Sequence, residues 1–419
     1  MAAAAYNGPS FAPSVSAFRT VLAVVVGLLL GPVLWLVGRL RRSPSHPWVI
    51  GGHRGRAVED NSAALFVWMR KHTDQPIVWI GNAEVVERLR ADGHTALVRN
   101  SLAARLAIFS APVLAYSHGE DDLDLLMHLG RRFVGMTVFL NHSLNVYKGG
   151  DAFSPAYQQA GPVGRWFRRL VMTDFDVLPA TSAYEQMCFR RNFPHRERRI
   201  RPFGGGAHLD AWFRRAEAAP LGGSNTLYWF PTHRDSPEGR AALAETLRTV
   251  TSDERLRRWL LDEGLTLRIG AHINTGAHRL ALEPPYELRP MATLLEDIAS
   301  AEGFISDYSG LVANAILLNR PTVLFPFDLE TYLHHRYLHV PVEAIATGPV
   351  CYDAASFVDT LVSDAWHDTD TARARREDWK RRLFPMRAPV YAEGTYRTLC
   401  AEAGIAQRLR QPASAEGAR

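Results

Sequence analysis

Two histidines of this 419-residue chain lie where apolar runs end, His142 after MTVFLN and His272 after LTLRIGA. An imidazole titrates near neutral pH, so either side chain can act as a general base on an attacking hydroxyl or as the corresponding acid. A purely structural role is the alternative for each, because the chain contains 16 histidines. Lys148 follows His142 by six residues and can add a positive charge there.

Two other segments carry groups that suit a nucleotide or a phosphate. In PTHRD at 231–235, Arg234 can present a fork of N–H donors to a phosphate and Thr232 can add a hydroxyl, although an Arg–Asp pair in a turn is common. In FDLETYL, Asp328 and Tyr332 can close a nucleotide pocket or simply cap the next helix.

The segment SDYSG at 306–310 precedes the helical stretch LVANAILLN. The amino end of a helix offers backbone N–H groups and a partial positive charge, which together can hold a phosphate. Ser309 and Gly310 would supply unhindered amides, and Asp307 can hold the turn or bind a ribose hydroxyl. A plain helix cap by Asp307 or Ser309 is the alternative.

Short apolar runs alternate with helical patterns along the chain, and they place these side chains at strand ends. Strands are predicted at 48–52, 76–82, 111–119, 136–143, 175–182, 225–234, 265–274, 303–310 and 320–328. Helices are predicted at 61–71, 237–250, 253–263, 291–300, 310–319 and 371–383. This alternation indicates parallel sheets with crossover helices. We therefore predict an α/β fold of two Rossmann-like doubly wound domains facing across a cleft, with ligands outside the carboxyl ends of the strands.

The composition of 213–224, rich in Ala, Pro and Gly, indicates the divide between the two domains. From the amino end, the predicted organisation is a membrane anchor at 1–43, a Rossmann-like acceptor domain at 44–218, a Rossmann-like donor domain at 219–385, and a helix with a disordered tail at 386–419.

The stretch 20–38 contains no charged residue. As a helix rising about 1.5 Å per residue it would be long enough to cross a bilayer core. Arg39, Arg41 and Arg42 follow it, so the positive-inside rule places the rest of the chain in the cytoplasm. We predict a single uncleaved anchor in the cell membrane. A cleaved signal peptide and a helix lying in the membrane interface are the alternatives.

Charge and cysteine content exclude several classes of protein. The formal net charge of +5 favours anionic partners. Three cysteines without CxxC spacing argue against a disulfide framework and against a zinc site. The basic runs lack interleaved aromatic residues and any known nucleic-acid motif, so we expect no nucleic-acid partner.

Taken in order, these segments resemble the CDP-glycerol glycerophosphotransferase family of teichoic-acid primases and polymerases and related capsule polymerases. SDYSG, its helix and RPTVLFPFDLETY resemble the family's DYS turn, apolar helix, Pro-led strand and D-x-E-x-Y segment. FPTHRD resembles P-T-x-R-D, LRIGAHI resembles K-x-H-P, and VFLNHSLNVYK resembles W-H-G-x-x-x-K. GGHRGRAVEDNSAALFVWM resembles G-x-x-x-x-D-N-x-x-x-L, and FGGGAHLDAW resembles G-x-P-R-x-D with Asp210 in the Asp position.

The resemblance implies a GT-B fold without a metal requirement, and we expect no cofactor. It implies transfer of a glycerol-phosphate or related polyol-phosphate unit from CDP-glycerol or another CDP-alditol to an anionic polymer or lipid-linked acceptor at the membrane. His142 and His272 are the implied catalytic residues, with His142 as the candidate base. The predicted substrate-binding residues are Lys148, Thr232, Arg234, Asp235, Arg268, Ser306, Asp307, Tyr308, Ser309, Gly310, Asp328 and Tyr332.

Some positions depart from the family pattern and leave the substrate open. Ser143 replaces the Gly after the first histidine, and Ile273 replaces the Pro after the second. Ribitol phosphate, another alditol phosphate or a sugar phosphate can therefore take the place of glycerol phosphate. A nucleotide-sugar glycosyltransferase of GT-B fold is the second hypothesis, and a catalytically inactive membrane scaffold is the third. The D-x-E-x-Y segment directly after the DYS helix favours the phosphotransferase.

Overall fold

The computed structural model describes most of the chain. The described residues are 25, 29–30, 32–34, 36–41, 43–124, 127, 134–149, 161, 174–218, 223–234, 236–271 and 282–410. Within this part the chain forms two compact units, each built around a parallel sheet.

The first unit comprises the described residues of Met1–His142, Arg169–Val177 and Leu399–Arg419. Its five strands are all parallel and lie in the order β3-β2-β1-β4-β5. The strands are β1 Trp48–Gly51, β2 Ile77–Gly81, β3 Ala96–Val98, β4 Val113–Tyr116 and β5 Met136–Phe139. The helices that alternate with them are α1 Asp60–His72, α2 Ala83–Ala91 and α3 Leu102–Ser110.

The second unit comprises the described residues of Ser143–Arg168 and Leu178–Thr398. Its main sheet is parallel in the order β10-β9-β8-β11-β12, beside a two-stranded sheet of β6 and β7. The strands are β6 Leu178–Pro179, β7 Ile200–Arg201, β8 Thr226–Phe230, β9 Thr266–Ala271, β10 Tyr286–Pro290, β11 Gly303–Ser306 and β12 Thr322–Leu324.

The remaining helices flank these strands in sequence. They are α4 Ala183–Asn192, α5 Leu209–Ala218, α6 Pro237–Thr251, α7 Glu254–Asp262, α8 Leu294–Ser300, α9 Leu311–Leu317, α10 Leu329–His335, α11 Val342–Ile345, α12 Ala354–Val362, α13 Asp370–Leu383 and α14 Tyr391–Ala403.

Strand β8 shows why the central strands appear as continuous apolar runs. Leu227 and Trp229 pack in one hydrophobic cluster, and Tyr228 and Phe230 pack in another. Successive side chains of a strand point to opposite faces, so a sheet covered on both faces needs apolar residues at every position. The sequence TLYWF meets that requirement.

The predicted α/β fold with parallel sheets is confirmed, and most of the predicted strands and helices are present. The run at 175–182 is the main difference, because only Leu178–Pro179 forms a strand there, paired with β7 outside the main sheets. Strands β3 and β10 had not been predicted. Both lie at a sheet edge and are partly exposed. Strand β3 is only three residues long, and β10 carries Glu287 and Arg289 among its apolar residues. Described residues 178–218, assigned from the sequence to the first domain, group with the second unit.

The predicted anchor and tail fall largely outside the described residues. Within the described ranges, no helix combines the length and the apolar character needed to cross a bilayer. Much of 20–38 and all of the tail from 411 belong to the residues that the structure does not describe.

The carboxylate of Asp210 holds the start of helix α14. Its two oxygens accept the backbone N–H groups of Tyr391 at 2.7 Å and Ala392 at 3.2 Å. We expect Asp210→Ala to lower the free energy of unfolding by about 1–2 kcal/mol, because two buried donors lose their acceptor. Urea unfolding measures the change. Asp370→Ala is the control, since that carboxylate begins α13 with a side chain 96% exposed, and it should leave stability unchanged.

Candidate active site

Each five-stranded sheet has one point where its strand order changes direction. In the first unit it lies between β1 and β4, and in the second between β8 and β11. Loops leave such a pair of strands in opposite directions, so a crevice opens at their carboxyl ends and ligands bind there. Polar side chains collect at both points.

His53, Asp60 and His118 form the histidine–aspartate cluster at the first of these points. His53 follows β1, His118 follows β4, and Asp60 begins α1. Asp60 Oδ2 lies 2.7 Å from His53 Nε2 and 3.7 Å from His118 Nε2. The two imidazole rings are 4.0 Å apart between centroids. One carboxylate oxygen therefore faces two imidazole nitrogens.

Asp122 joins the two loops that carry this cluster. Its fully buried carboxylate accepts the backbone N–H groups of Arg54 at 2.7 Å, Ser117 at 3.0 Å and His118 at 2.8 Å. Burial works to raise the pKa of Asp122, but His118 and these N–H groups hold it below its ordinary value. A side chain at Gly51 would place its Cβ 3.0 Å from the Asp122 carbonyl oxygen, so glycine allows the close approach of the loops.

The backbone at the cluster adopts an unusual conformation. His53, Arg54 and Asp60 have φ angles of 48°, 54° and 64°. Non-glycine residues in this left-handed region cost about 1–3 kcal/mol each, and such strain concentrates at functional sites. The hydrogen bonds of Asp60 and Asp122 hold these residues in place.

His53 and Asp60 stabilise each other's charged forms. Burial works to lower the pKa of His53, but the hydrogen bond and the charge of Asp60 raise it above its ordinary value. Burial works to raise the pKa of Asp60, and the same hydrogen bond, with the charges of His53, His118 and His142, lowers it. The Asp60 carboxylate thus carries a negative charge that interacts with three imidazoles.

His142, the predicted base, is exposed just after β5. Its ring stacks on that of His118, with centroids 4.7 Å apart and an interplanar angle of 15°. The Asn61 amide donates to the carbonyl oxygens of Leu140 and Asn141 at 3.1 Å each, which holds the chain in front of His142. The histidine–aspartate cluster and His142, the predicted base, are therefore neighbours at the same edge of the first unit's sheet.

Arg234, Asp307 and Asp328 form the arginine clamp at the strand ends of the second unit. The Arg234 guanidinium donates through Nε and Nη2 to the two Asp328 oxygens at 2.7 Å each, and through Nη2 to Asp307 at 2.8 Å. Nη1 donates to the carbonyl oxygen of Thr232 at 2.5 Å. All three charged side chains are at most 3% exposed. Arg234, which the sequence predicted to bind a phosphate, is thus bonded to protein carboxylates. It connects the loops after β8, β11 and β12.

Aromatic rings enclose the clamp. The Arg234 Cζ atom lies 4.9 Å from the ring centroid of Tyr308, 5.1 Å from that of Phe327 and 5.4 Å from that of Tyr332. Tyr308 and Tyr332 stack with centroids 3.7 Å apart. Burial opposes the charge of Arg234, but the two carboxylates raise its pKa further above its usual range. The clamp is a low-dielectric ion network, which is costly to break once formed.

The Asp-Tyr-Ser turn is held from both sides. Tyr147 Oη donates to the carbonyl oxygens of Asp307 at 2.8 Å and Ser309 at 3.1 Å. Ser306 Oγ donates to a carbonyl oxygen of β8 at 2.7 Å. Ser309 Oγ accepts the N–H of Leu311 at 3.2 Å, so one amide at the start of α9 is already satisfied. A Cβ atom at position 310 would lie 2.6 Å from the Leu144 carbonyl oxygen, so the close packing here requires glycine.

Thr232 combines burial with an unused hydroxyl. Its backbone N–H donates to Asp307 at 2.9 Å, while Oγ1 is buried and has no hydrogen-bond partner among the described residues. Buried polar atoms are nearly always paired, because an unpaired one costs about 1–3 kcal/mol. The hydroxyl at this strand end is therefore suited to a ligand.

The other predicted site residues lie elsewhere or are not described. Arg268 lies within β9, where it pairs with Glu287 at 3.0 Å and Asp297 at 3.5 Å, apart from the arginine clamp. Lys148 forms a β-bridge with Leu338. His272 and Asp235 lie outside the described residues.

Sequence analysis did not select the histidine–aspartate cluster. His53 directly follows the run predicted as a strand at 48–52, and His118 lies near the end of the one predicted at 111–119, so the strand-end rule applied to His142 would have found them. Asp60 lies in the segment that resembles the pattern G-x-x-x-x-D-N-x-x-x-L, but nothing in one sequence showed that it faces two imidazoles. Tyr147 carried no signal, since its partners are backbone atoms about 160 residues away.

A family model described as CDP-Glycerol:Poly(glycerophosphate) glycerophosphotransferase matches residues 49–388, a stretch that contains both clusters. The chain belongs to this family. The resemblance inferred from the sequence motifs is thereby confirmed.

One relative that the chain resembles in sequence is the teichoic acid ribitol-phosphate primase of Bacillus spizizenii (strain ATCC 23059 / NRRL B-14472 / W23). It is 29% identical over 147 residues. The match covers 35% of this chain and 37% of the relative, so the chain spans little more than a third of that protein's length.

Two solved structures share the architecture of this chain. The wall teichoic acid polymerase TagF aligns over 94% of this chain and 99% of its own, with a TM-score of 0.65 and 15% identity. The S. aureus MnaA–UDP structure aligns over 86% of this chain and 98% of its own, with a TM-score of 0.53 and 10% identity. At these identities the likeness concerns the fold.

The arginine clamp generates a stability prediction. We expect Arg234→Met to lower the free energy of unfolding by about 3–5 kcal/mol, because two buried carboxylates lose their counter-charge. Urea unfolding followed by circular dichroism measures the loss. Arg255→Met is the control, since Arg255 bonds Asp359 at 2.8 Å with both side chains mostly exposed, and its stability should be unchanged. Equal stability of the two variants would contradict the clamp.

Proposed function

We propose that the chain transfers a glycerol-phosphate or related polyol-phosphate unit from a CDP-activated donor to a cell-surface polymer or a lipid-linked acceptor. The observation that carries this function is the family match over 49–388, which includes the polar clusters at both sheet switch points. A ribitol-phosphate primase as relative and a TagF variant soaked with CDPG support the donor class. The polyol can be glycerol or ribitol.

In this transfer the acceptor hydroxyl oxygen bonds to the phosphorus that carries the polyol. The phosphoanhydride bond to CMP breaks, CMP leaves with the bonding electrons, and the hydroxyl gives up its proton. His142 is the proposed base, since it is exposed and can accept a proton near neutral pH. The His118 ring against which it stacks, together with the charge of Asp60, would orient the imidazole and stabilise its protonated form.

The second unit is the proposed donor side. Thr232 Oγ1 and the 306–310 turn offer a hydroxyl and a rigid strand end, while the arginine clamp holds their positions. His272 keeps its proposed role near the donor pyrophosphate. Arg234 is proposed to act through this positioning, because four of its five N–H donors already bond to protein.

The uncharged stretch 20–38, with the arginines that follow it, is the proposed attachment to the cytoplasmic face of the cell membrane. A membrane attachment would bring the enzyme to a lipid-linked acceptor.

Release of CMP tests the transferase. We expect release from CDP-glycerol or CDP-ribitol when a lipid-linked polyol-phosphate acceptor is present, and a rate about 100- to 10,000-fold lower for His142→Ala, because the general base is lost. CMP affinity should be the same in both proteins. His367→Ala, which removes a histidine 61% exposed, is the control and should keep the full rate. Without release or CMP binding by the wild type, a nucleotide-sugar glycosyltransferase becomes the better assignment.

Thr232 provides a separate test of the donor side. We expect Thr232→Val to weaken CMP or CDP-alditol binding about three- to tenfold without lowering the free energy of unfolding, because the hydroxyl has no internal partner. Calorimetry and urea unfolding measure the two quantities. Thr322→Val is the matched control: its buried hydroxyl bonds Thr347 at 2.7 Å, so stability should fall by about 1 kcal/mol while donor binding is unchanged. Loss of stability without loss of affinity in Thr232→Val would refute the ligand role.

A further inference from the structure

The histidine–aspartate cluster has the composition and spacing of a metal site. In the part of the chain that the structure describes, His53, Asp60 and His118 are the one group of three such side chains whose ligand atoms all lie within 4.8 Å of one another. Their side chains are 32%, 22% and 27% exposed, so an ion can reach them from solvent.

We propose that His53 Nε2, Asp60 Oδ2 and His118 Nε2 bind a divalent transition-metal ion of the Zn²⁺ class. Zinc binds imidazole nitrogen and carboxylate oxygen at about 2.0–2.2 Å, which places neighbouring ligand atoms of a tetrahedral ion about 3.4 Å apart. The observed separations of 2.7 Å and 3.7 Å from Asp60 Oδ2 lie on either side of that value. Side-chain movements that open the first separation by about 0.7 Å and close the second by about 0.3 Å would bring both to that value.

The donor set selects the kind of metal. Imidazole ligands suit zinc, iron, copper and nickel, whereas magnesium and calcium prefer sites made of oxygen ligands. Two histidines and one carboxylate leave a fourth position of a tetrahedral ion open, as in catalytic rather than structural sites. The three side chains are partly exposed, so that position suits an oxygen ligand such as water, a hydroxyl or a phosphoryl oxygen.

His118 Nδ1 lies behind the proposed ligand atom Nε2. It is 3.8 Å from the buried carboxylate of Asp122, 3.3 Å from the hydroxyl of Ser117 and 3.3 Å from the backbone nitrogen of His53. Ligation through Nε2 would place the ring proton on Nδ1, on the side of Asp122. Histidine ligands commonly have such a carboxylate behind them, because it fixes the ring and raises its basicity. Asp122 is held by three backbone N–H groups, so its position is set without the metal.

A metal here departs from the absence of a metal requirement that the family resemblance implied. The ion would lie one imidazole ring away from His142, which stacks on His118. Binding at this cluster is independent of which donor the chain uses, so it can be tested without any transfer reaction.

Calorimetric titration with Zn²⁺ and absorption spectroscopy with Co²⁺ test the site on the full-length, tag-free protein after treatment with a chelator. We expect one ion per chain, and a visible Co²⁺ spectrum of the intensity typical of four-coordinate sites. A millimolar excess of Mg²⁺ should not displace the ion. Absence of stoichiometric binding by the wild type would overturn the proposal whether or not any variant folds.

Variants separate this site from adventitious binding by surface histidines. His53→Ala and His118→Ala should each weaken Zn²⁺ affinity at least 100-fold, and Asp122→Asn about 10- to 100-fold through loss of the supporting carboxylate. His72→Ala is the control, since His72 is an exposed histidine of the same unit outside the cluster, and affinity should change less than twofold. Circular dichroism verifies the fold of each variant. Equal affinity in all four variants would refute the assignment.

Discussion

Parallel pairing imposes the arrangement of both units. Every strand of each five-stranded sheet runs parallel to its neighbours, so the carboxyl ends of the strands all lie at one edge. In central strands such as β8 the side chains are buried on both faces, so the polar side chains of the two clusters are carried by residues that follow the strands. At the points where strand order reverses, between β1 and β4 and between β8 and β11, the loops diverge. The two polar clusters lie at these two points.

The clusters differ in what their charges do. In the arginine clamp one guanidinium is bonded by two buried carboxylates, so its charge is used inside the protein and its main effect is to hold three strand-end loops in place. An Arg in a P-T-x-R-D segment can therefore matter to a phosphate site without touching the phosphate. The part left for a ligand is smaller: a buried hydroxyl on Thr232 and the turn that the clamp positions.

The histidine–aspartate cluster is more open, and its charges remain within reach of solvent. Asp60 faces the imidazole nitrogens of His53 and His118, and the imidazole of His142 stacks on that of His118. Left-handed backbone angles at His53 and Asp60 show that the chain accepts local strain to bring these groups together. Such an arrangement can hold a proton, orient a base or bind a metal. The family match supports the proposed transferase, and the donor atoms are the basis of the proposed metal site.

The sequence by itself determined the fold class and most of the strands, because apolar runs such as TLYWF and turn residues are local signals. It also determined the family, through the order of SDYSG, PTHRD and FDLETY, and it placed His142, Thr232 and Asp307 at strand ends. Tertiary structure alone decided which of these groups meet. Arg234 faces Asp328 across 94 residues and His53 faces His118 across 65. Local sequence carries no information on such partners, since strand order and register bring them together. The edge strands β3 and β10 appeared only in the folded chain, because β3 is three residues long and β10 carries two charged residues.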